Sequence, residues 1–122
     1  MCQIVTTLTV RSEHRSVAQC EHGTVFIHWQ FSTWTLQISD FNALTGFLNL
    51  EHPAADFTDG PHTLRRNSSG QVSAVQLWLG VAALAFTPPD FEEFCAMLRQ
   101  AAPKVNEFLI GSRVKGSRLA FN

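Results

Sequence analysis

The sequence predicts an α+β fold, an antiparallel sheet with two helices on one face, built from two related halves in the order ββββα-βββα. Three observations predict it. The first is an internal repeat. Trp34-Thr35-Leu36-Gln37-Ile38-Ser39 runs into Asp40-Phe41-Asn42-Ala43-Leu44 and closes at Phe47-Leu48, while Leu84-Ala85-Phe86-Thr87 runs into Asp90-Phe91-Glu92-Glu93-Phe94 and closes at Met97-Leu98. Asp40 and Asp90, Phe41 and Phe91, Leu44 and Phe94, and Leu48 and Leu98 all keep one spacing, and a repeat of this length sets the architecture before any local pattern does. Upstream, Trp29 and Trp78 occupy similar hairpins with a slip of one residue. The second observation is period-two alternation in the strands, and the third is one apolar stripe per helix.

The elements follow in order. Ile4 to Val10 is rich in Val, Ile and Thr, which favours a strand. Ser12 to Ser16 is polar and turn-like, and Val17 to Cys20 forms a short second strand ending at Gly23. Val25, Ile27, Trp29 and Phe31 alternate with Phe26, His28 and Gln30, the mark of a strand with one buried face. A tight connection at Ser32-Thr33 leads into Trp34, Leu36 and Ile38. Ser39 or Asp40 is placed to cap the next helix. Phe41, Leu44, Phe47 and Leu48 are its buried stripe, and Pro53 ends it by disfavouring helical geometry at His52.

The second half repeats the plan. Thr63-Leu-Arg-Arg and Val72 to Leu79 pair across Asn67-Ser-Ser-Gly70, and Leu84 and Phe86 lie in the next strand. Thr87 caps a helix opened by Pro88-Pro89, with Asp90, Glu92 and Glu93 complementing its dipole. Phe91, Phe94, Met97, Leu98 and Ala101 form its stripe before Pro103. One domain over 1–122 is expected: repeat 1 at about 1–51, a linker at about 52–61, repeat 2 at about 62–110 and a basic tail at 111–122.

Composition narrows the function classes. The chain has 122 residues, 45% apolar, with ten Phe, three Trp and no Tyr, which is a globular profile. Net charge is −1 and pI about 6.5, so no global field draws it to nucleic acid or anionic lipid. Charged residues make up only 16%, so part of the surface is expected to be covered by a second subunit, with a homodimer the simplest form. The longest apolar run, Val81 to Phe86, falls far short of a membrane helix. Cys2, Cys20 and Cys95 show no CxxC spacing, and the start carries no signal-peptide pattern. Together these predict a cytoplasmic chain with reduced thiols.

Few residues point to chemistry. Cys20-x-His22-x5-His28 combines thiolate and imidazole, which suit zinc or a late transition metal, but it is one partial ligand pair where zinc sites use two. His52, Asp56, Asp59 and His62 form a second set in the linker. The chain has no GxSxG elbow, no GxxxxGK[ST] and no GxGxxG after a strand. Cys95, beside Phe94 on the helix core side, reads as a small hydrophobe. No catalytic residue and no cofactor are expected. The sheet face opposite the helices would present Phe26, His28, Gln30, Gln76 and Trp78, and Phe26, His28 and Trp78 are the expected interface.

Two resemblances bear on this. Leu84-Ala-Phe-Thr-Pro-Pro-Asp-Phe-Glu-Glu-Phe-Cys-Ala-Met-Leu98 resembles the strand-to-helix junction of a PUR repeat, and hairpin-rich duplicated units also occur in Whirly-type proteins. That resemblance implies single-stranded nucleic-acid binding, with Trp29, Trp34, Trp78 or Phe26 stacking on bases. Arg65 and Arg66, with Arg113, Lys115 and Arg118 of the tail, would meet phosphate. Over nearly its whole length the chain also resembles a group of small uncharacterised bacterial proteins. They share an early Cys, a Cys/His element such as Cys20-Glu-His-Gly23, an apolar hairpin and an acid–Phe helix start, then a second hairpin and helix. This chain lacks the second Cys of that element, and the resemblance implies no activity. The function expected is a non-enzymatic binding or assembly module. A single-strand binder, or a metal protein or enzyme using Cys20, His22 and His28, is the alternative.

Overall fold

A computed structural model describes residues 4–49, 57–69 and 72–105. The class is α+β, with the strands divided into two antiparallel four-stranded sheets where the sequence suggested one continuous sheet. The first sheet is β1 (Val5–Ser12), β2 (Arg15–Cys20), β3 (Val25–Trp29) and β4 (Ser32–Leu36), in that order, followed by α1 (Ile38–Asn49). The second is β5 (Phe57–Asp59), β6 (His62–Ser69), β7 (Val72–Leu79) and β8 (Ala82–Phe86), followed by α2 (Pro88–Ala101) and a 3-10 turn over Ala102–Lys104. β5 is the strand that completes the second half. It lies inside the stretch read as linker, because three residues after a Pro-containing segment carry too little periodicity to mark a strand.

The two halves keep one spacing from their last hairpin into the helix, while their first strands differ in length. β4 and β8, and the starts of α1 and α2, stand fifty residues apart, and Val25 pairs with Leu36 as Val75 pairs with Phe86. The slip of the tryptophans acquires a meaning here, since a one-residue shift moves a strand residue to the other face of its sheet. Trp29 lies with Val25 and Ile27 on the core face and is buried. Trp78 falls on the other face, at the position His28 holds in the first sheet, and is half-buried.

Each helix buries the expected stripe. Phe41, Leu44 and Phe47 in α1, and Phe94, Met97, Leu98 and Ala101 in α2, are at most 2% exposed. Thr87 accepts a hydrogen bond from the Asp90 N–H through Oγ1 at 3.3 Å, the predicted cap. In α1 the expectation shifts by a turn boundary. The helix starts at Ile38, so Ser39 and Asp40 lie within its first turn, and the first α bond runs from the Phe41 N–H to the Gln37 carbonyl at 2.9 Å.

The chain groups into two compact units, Met1–Ala43 with Met97–Asn122, and Leu44–Ala96. These bounds cross the repeat boundaries near 51 and 62, because each helix divides between the units. Within the first unit, Gln100 Oε1 of α2 accepts from Thr9 Oγ1 at 3.2 Å and from Arg11 Nη1 at 3.4 Å. Within the second, Phe86 packs on Phe91 and Phe94 with ring centroids 5.5 and 4.9 Å apart.

Candidate interaction surface

Strand register assigns the paired side chains of the first sheet to a face, while Leu8 and Arg11 fall at the two register shifts of β1, and Arg11 reaches the same Gln100 Oε1 as Thr9 of the core face. Ser16 pairs with His28 and Ala18 with Phe26. Phe26 pairs in turn with Thr35, and His28 with Thr33. On β1, Val5 pairs with Cys20, Thr7 with Ala18 and Val10 with Ser16. These residues share the face opposite Val17, Val25, Ile27 and Leu36; among the described residues that the register pairs, that outer face carries no Asp, Glu, Lys or Arg, and Ala18 and Cys20 on it are buried. His28 Nδ1 lies 3.0 Å from Thr33 Oγ1, a polar contact between neighbouring strands on that face. Phe26 and His28 are half-buried, while Val5 and Val10 are 54% and 60% exposed.

The second sheet's outer face differs. Thr63 pairs with Trp78 and Arg65 with Gln76, so Arg65 and Trp78 are diagonal neighbours on one face. Arg65 is exposed. The Trp78 Nε1 is buried and makes no hydrogen bond, which is uncommon for a buried indole N–H. Arg66 lies on the opposite face, where its guanidinium sits 5.6 Å from the Phe91 ring centroid. The predicted pair Arg65-Arg66 is thus split across the sheet by the same alternation that splits the tryptophans. Trp29 is unavailable for stacking, being 4% exposed with the Arg15 guanidinium 4.3 Å above its ring. Arg113, Lys115 and Arg118 lie outside the described residues. Gln30, expected on the outer face, sits instead in the β3–β4 turn with φ +59°.

The Cys/His set does not come together. β2 ends at Cys20, so His22 sits in the following turn and not in the same strand. The register puts His28 opposite Ser16, four residues along β2 from Cys20, a separation of about 13 Å. Metal–ligand bonds are about 2.0–2.3 Å, so Cys20 and His28 cannot share an ion at that spacing. Cys20 is also disulfide-bonded, which corrects the expectation of reduced thiols and removes the thiolate. Spacing along the chain showed none of this, because a disulfide partner is set by tertiary proximity. Among the described residues no group of three or more His, Cys, Asp or Glu is placed to hold a metal. In the linker set, Asp59 and His62 pair across β5 and β6, while His52 and Asp56 lie outside the described residues. Cys95 is buried and lies outside any disulfide, as its position on the core side of the helix predicts. No helix among the described residues is long and apolar enough to cross a membrane.

Two hairpin tips escaped the sequence reading. Phe31 and Val81, fifty residues apart, are 95% and 98% exposed at the β3–β4 and β7–β8 turns. The residue before each has positive φ, Gln30 at +59° and Gly80 at +64°. In the first half the tip is held by the Gln30 N–H to the His14 carbonyl at 2.7 Å and by Arg15 Nε to Gln30 Oε1 at 2.5 Å. In the second, the Gly80 N–H donates to the Pro61 carbonyl at 2.8 Å. Alternation places Phe31 as the last buried position of its strand, but the two-residue turn ends that alternation at Trp29.

Comparison with known proteins yields no match, neither to a family model nor to a curated protein or a solved structure.

Proposed function

We propose that this chain is a non-enzymatic assembly and binding module that forms a homodimer, with Phe26 and His28 of the first sheet's outer face, and Trp78 of the second's, in the interface. The observation that carries the reading is the absence of charge on the first sheet's outer face among the described residues that the register pairs. A solvated antiparallel face is normally polar and charged, and charge depletion marks the centre of protein interfaces. Two copies meeting through an uncharged face bring no like charges together, whatever their rotation. A stable dimer of this kind requires at least about 1,000 Å² of buried surface. Sedimentation velocity at micromolar concentration is the test, with a dimer expected for the native chain and a monomer for Phe26→Glu. A native chain that sediments only as monomer sinks the reading. The family resemblance to small bacterial hairpin–helix proteins belongs to the same proposal. So does the cytoplasmic setting, which cell fractionation tests: recovery of the chain from an oxidising compartment, the kind that suits the Cys20 disulfide, overturns it.

One observation favours a second reading. Arg65 and Trp78 set an exposed cation beside a half-buried aromatic ring on one sheet face, the pair that single-stranded nucleic acid uses for phosphate and base. Tryptophan fluorescence titrated with an oligonucleotide at low salt tests it. Binding should weaken with salt by about 0.7 in log–log slope per neutralised phosphate. An unchanged signal at tens of micromolar oligonucleotide removes this option.

A further inference from the structure

We infer that the homodimer is gated by pH through His28: two copies hold together while its imidazole is neutral, and its protonation parts them. This rests on the assembly reading above and names the regulation of that same face.

Any interface that covers Phe26 also covers His28. The two residues stand two apart on β3, on the same face of the sheet and about 7 Å from each other along the strand. A stable interface takes at least about 1,000 Å² in total, hence about 500 Å² from each copy, a patch about 22 Å across. Four strands at a spacing of about 4.8 Å make a face of about that width. A copy seated on Phe26 therefore spreads over the whole four-stranded face, and β3 is an inner strand of it, between β2 and β4. Val5, Val10, Thr33 and Thr35 on that face are exposed, and Phe26 and His28 are half-buried, so the face is open to a second copy.

His28 is also the group that can bring charge there. Its direct neighbours are Ser16 on β2 and Thr33 on β4, with Ala18 and Thr35 on the diagonals and Thr7 and Val10 beyond them on β1. None of these titrates. Cys20, on the same face, is held in a disulfide. Glu13 and His14 belong to the β1–β2 turn, where their side chains lie 3.9 Å apart. Arg15 rests on Trp29 of the core face, and Arg11 reaches Gln100. Among the described residues that the register pairs, His28 is thus the one titratable side chain on the outer face.

Imidazole is the side chain that ordinarily gains a proton between pH 8 and 5. The 3.0 Å contact of Nδ1 with Thr33 Oγ1 holds this ring at the face. A twofold axis brings two such rings into one interface. Protonation would bury two like charges with no carboxylate on either copy's face to pair them, and an unpaired buried charge is costly. In the monomer the same charge stays in contact with water. The dimer therefore binds fewer protons than two separate chains, and by linkage lowering the pH favours the monomer.

The test uses the 1–122 chain and reads dimer dissociation by sedimentation equilibrium at pH 7.5 and 5.5, with circular dichroism at both to show that the fold is kept. The native chain should be dimeric at pH 7.5. At pH 5.5 its dissociation constant should be about tenfold to 100-fold higher, because each of two imidazoles must lose a proton on association. His28→Gln, a neutral amide, should dimerise alike at both values, as should His28→Thr, a neutral residue that suits a strand. His28→Lys, charged at both, should be monomeric at both. A native dimer of equal strength at the two values overturns the gate and leaves the assembly reading standing. The gate also fails if both neutral variants keep the native pH dependence or both fail to dimerise, or if the lysine variant dimerises like the native chain. Loss of the folded signal at pH 5.5, in place of a folded monomer, overturns it too. A native chain that is monomeric at pH 7.5 ends the assembly reading and the gate with it.

Discussion

Gln30 occupies a backbone conformation that its second-half equivalent leaves to glycine. A left-handed φ costs a non-glycine residue about 1–2 kcal/mol, from Cβ crowding against the backbone, and Gln30 sits at +59°. The Arg15 Nε hydrogen bond to its side chain, with Arg15 resting on Trp29, offsets part of that cost. Two opposite substitutions separate strain from contact. Gln30→Gly should stabilise the chain by up to about 1 kcal/mol, less whatever the Arg15 bond contributes. Gly80→Ala should destabilise it by about 1 kcal/mol, although a Cβ there would meet nothing within 4 Å, because the penalty lies in φ +64° alone. Urea denaturation midpoints check both, and equal shifts of the same sign would refute the strain account. These residues also show where the site stops being legible in sequence. Trp29 and Trp78 look equivalent to within a residue, yet that residue puts one in the core and the other on a surface. Arg65 and Arg66 look like one cluster and lie on two faces. The neutrality of the outer face emerged only once the β1–β4 register was known.

Elements with a complete local signal were readable, and those set by distant partners were not. β3, β4 and β8 carry period two, and α1 and α2 carry stripes whose members 41, 44, 47 and 48 recur at 91, 94, 97 and 98, all buried. β5 is too short for a period. The division into two sheets depends on which strand edges meet, a non-local choice that alternation does not encode. The helix starts illustrate the difference in small. Thr87 stands directly before Pro88-Pro89-Asp90, where cap, proline and acid agree, and the structure places the cap there. α1 offers Ser39 and Asp40, good cap residues, but packing of Ile38 at 7% exposure draws the helix back past them. Thr87→Ala should cost about 1 kcal/mol, since it removes an acceptor for a first-turn N–H. Phe94→Ala should cost about 3–5 kcal/mol, because the ring is fully buried and packs on Phe86 at 4.9 Å. Thermal unfolding followed at 222 nm ranks the two, and a cap substitution as damaging as the core one would contradict this account of α2.

At the scale of the whole chain, the repeat in sequence and the compact units in space do not coincide. The first unit takes Met1–Ala43 together with Met97–Asn122, so it is discontinuous along the chain. Its sheet meets the end of the second half's helix through Gln100, which receives hydrogen bonds from Thr9 and Arg11 of β1. Met97, Leu98 and Ala101, at 0%, 1% and 0% exposure, belong to that same unit. A fragment ending at residue 51 therefore keeps all four strands of the first sheet and α1 but lacks these buried side chains. Small units bury a low fraction of their surface and have little stability in reserve. Each large apolar side chain that is lost forgoes about 1.5–3 kcal/mol of burial, against a typical total of 5–15 kcal/mol for a whole domain. The expectation is that the 1–51 fragment does not fold by itself, although it contains one complete ββββα repeat. The 1–122 chain should show dispersed amide resonances and a cooperative urea transition, and the fragment neither. Adding a separate 52–122 chain should restore dispersion, because it returns the end of α2 to the first unit. A fragment that unfolds cooperatively by itself would show that the repeat, and not the discontinuous unit, is what folds.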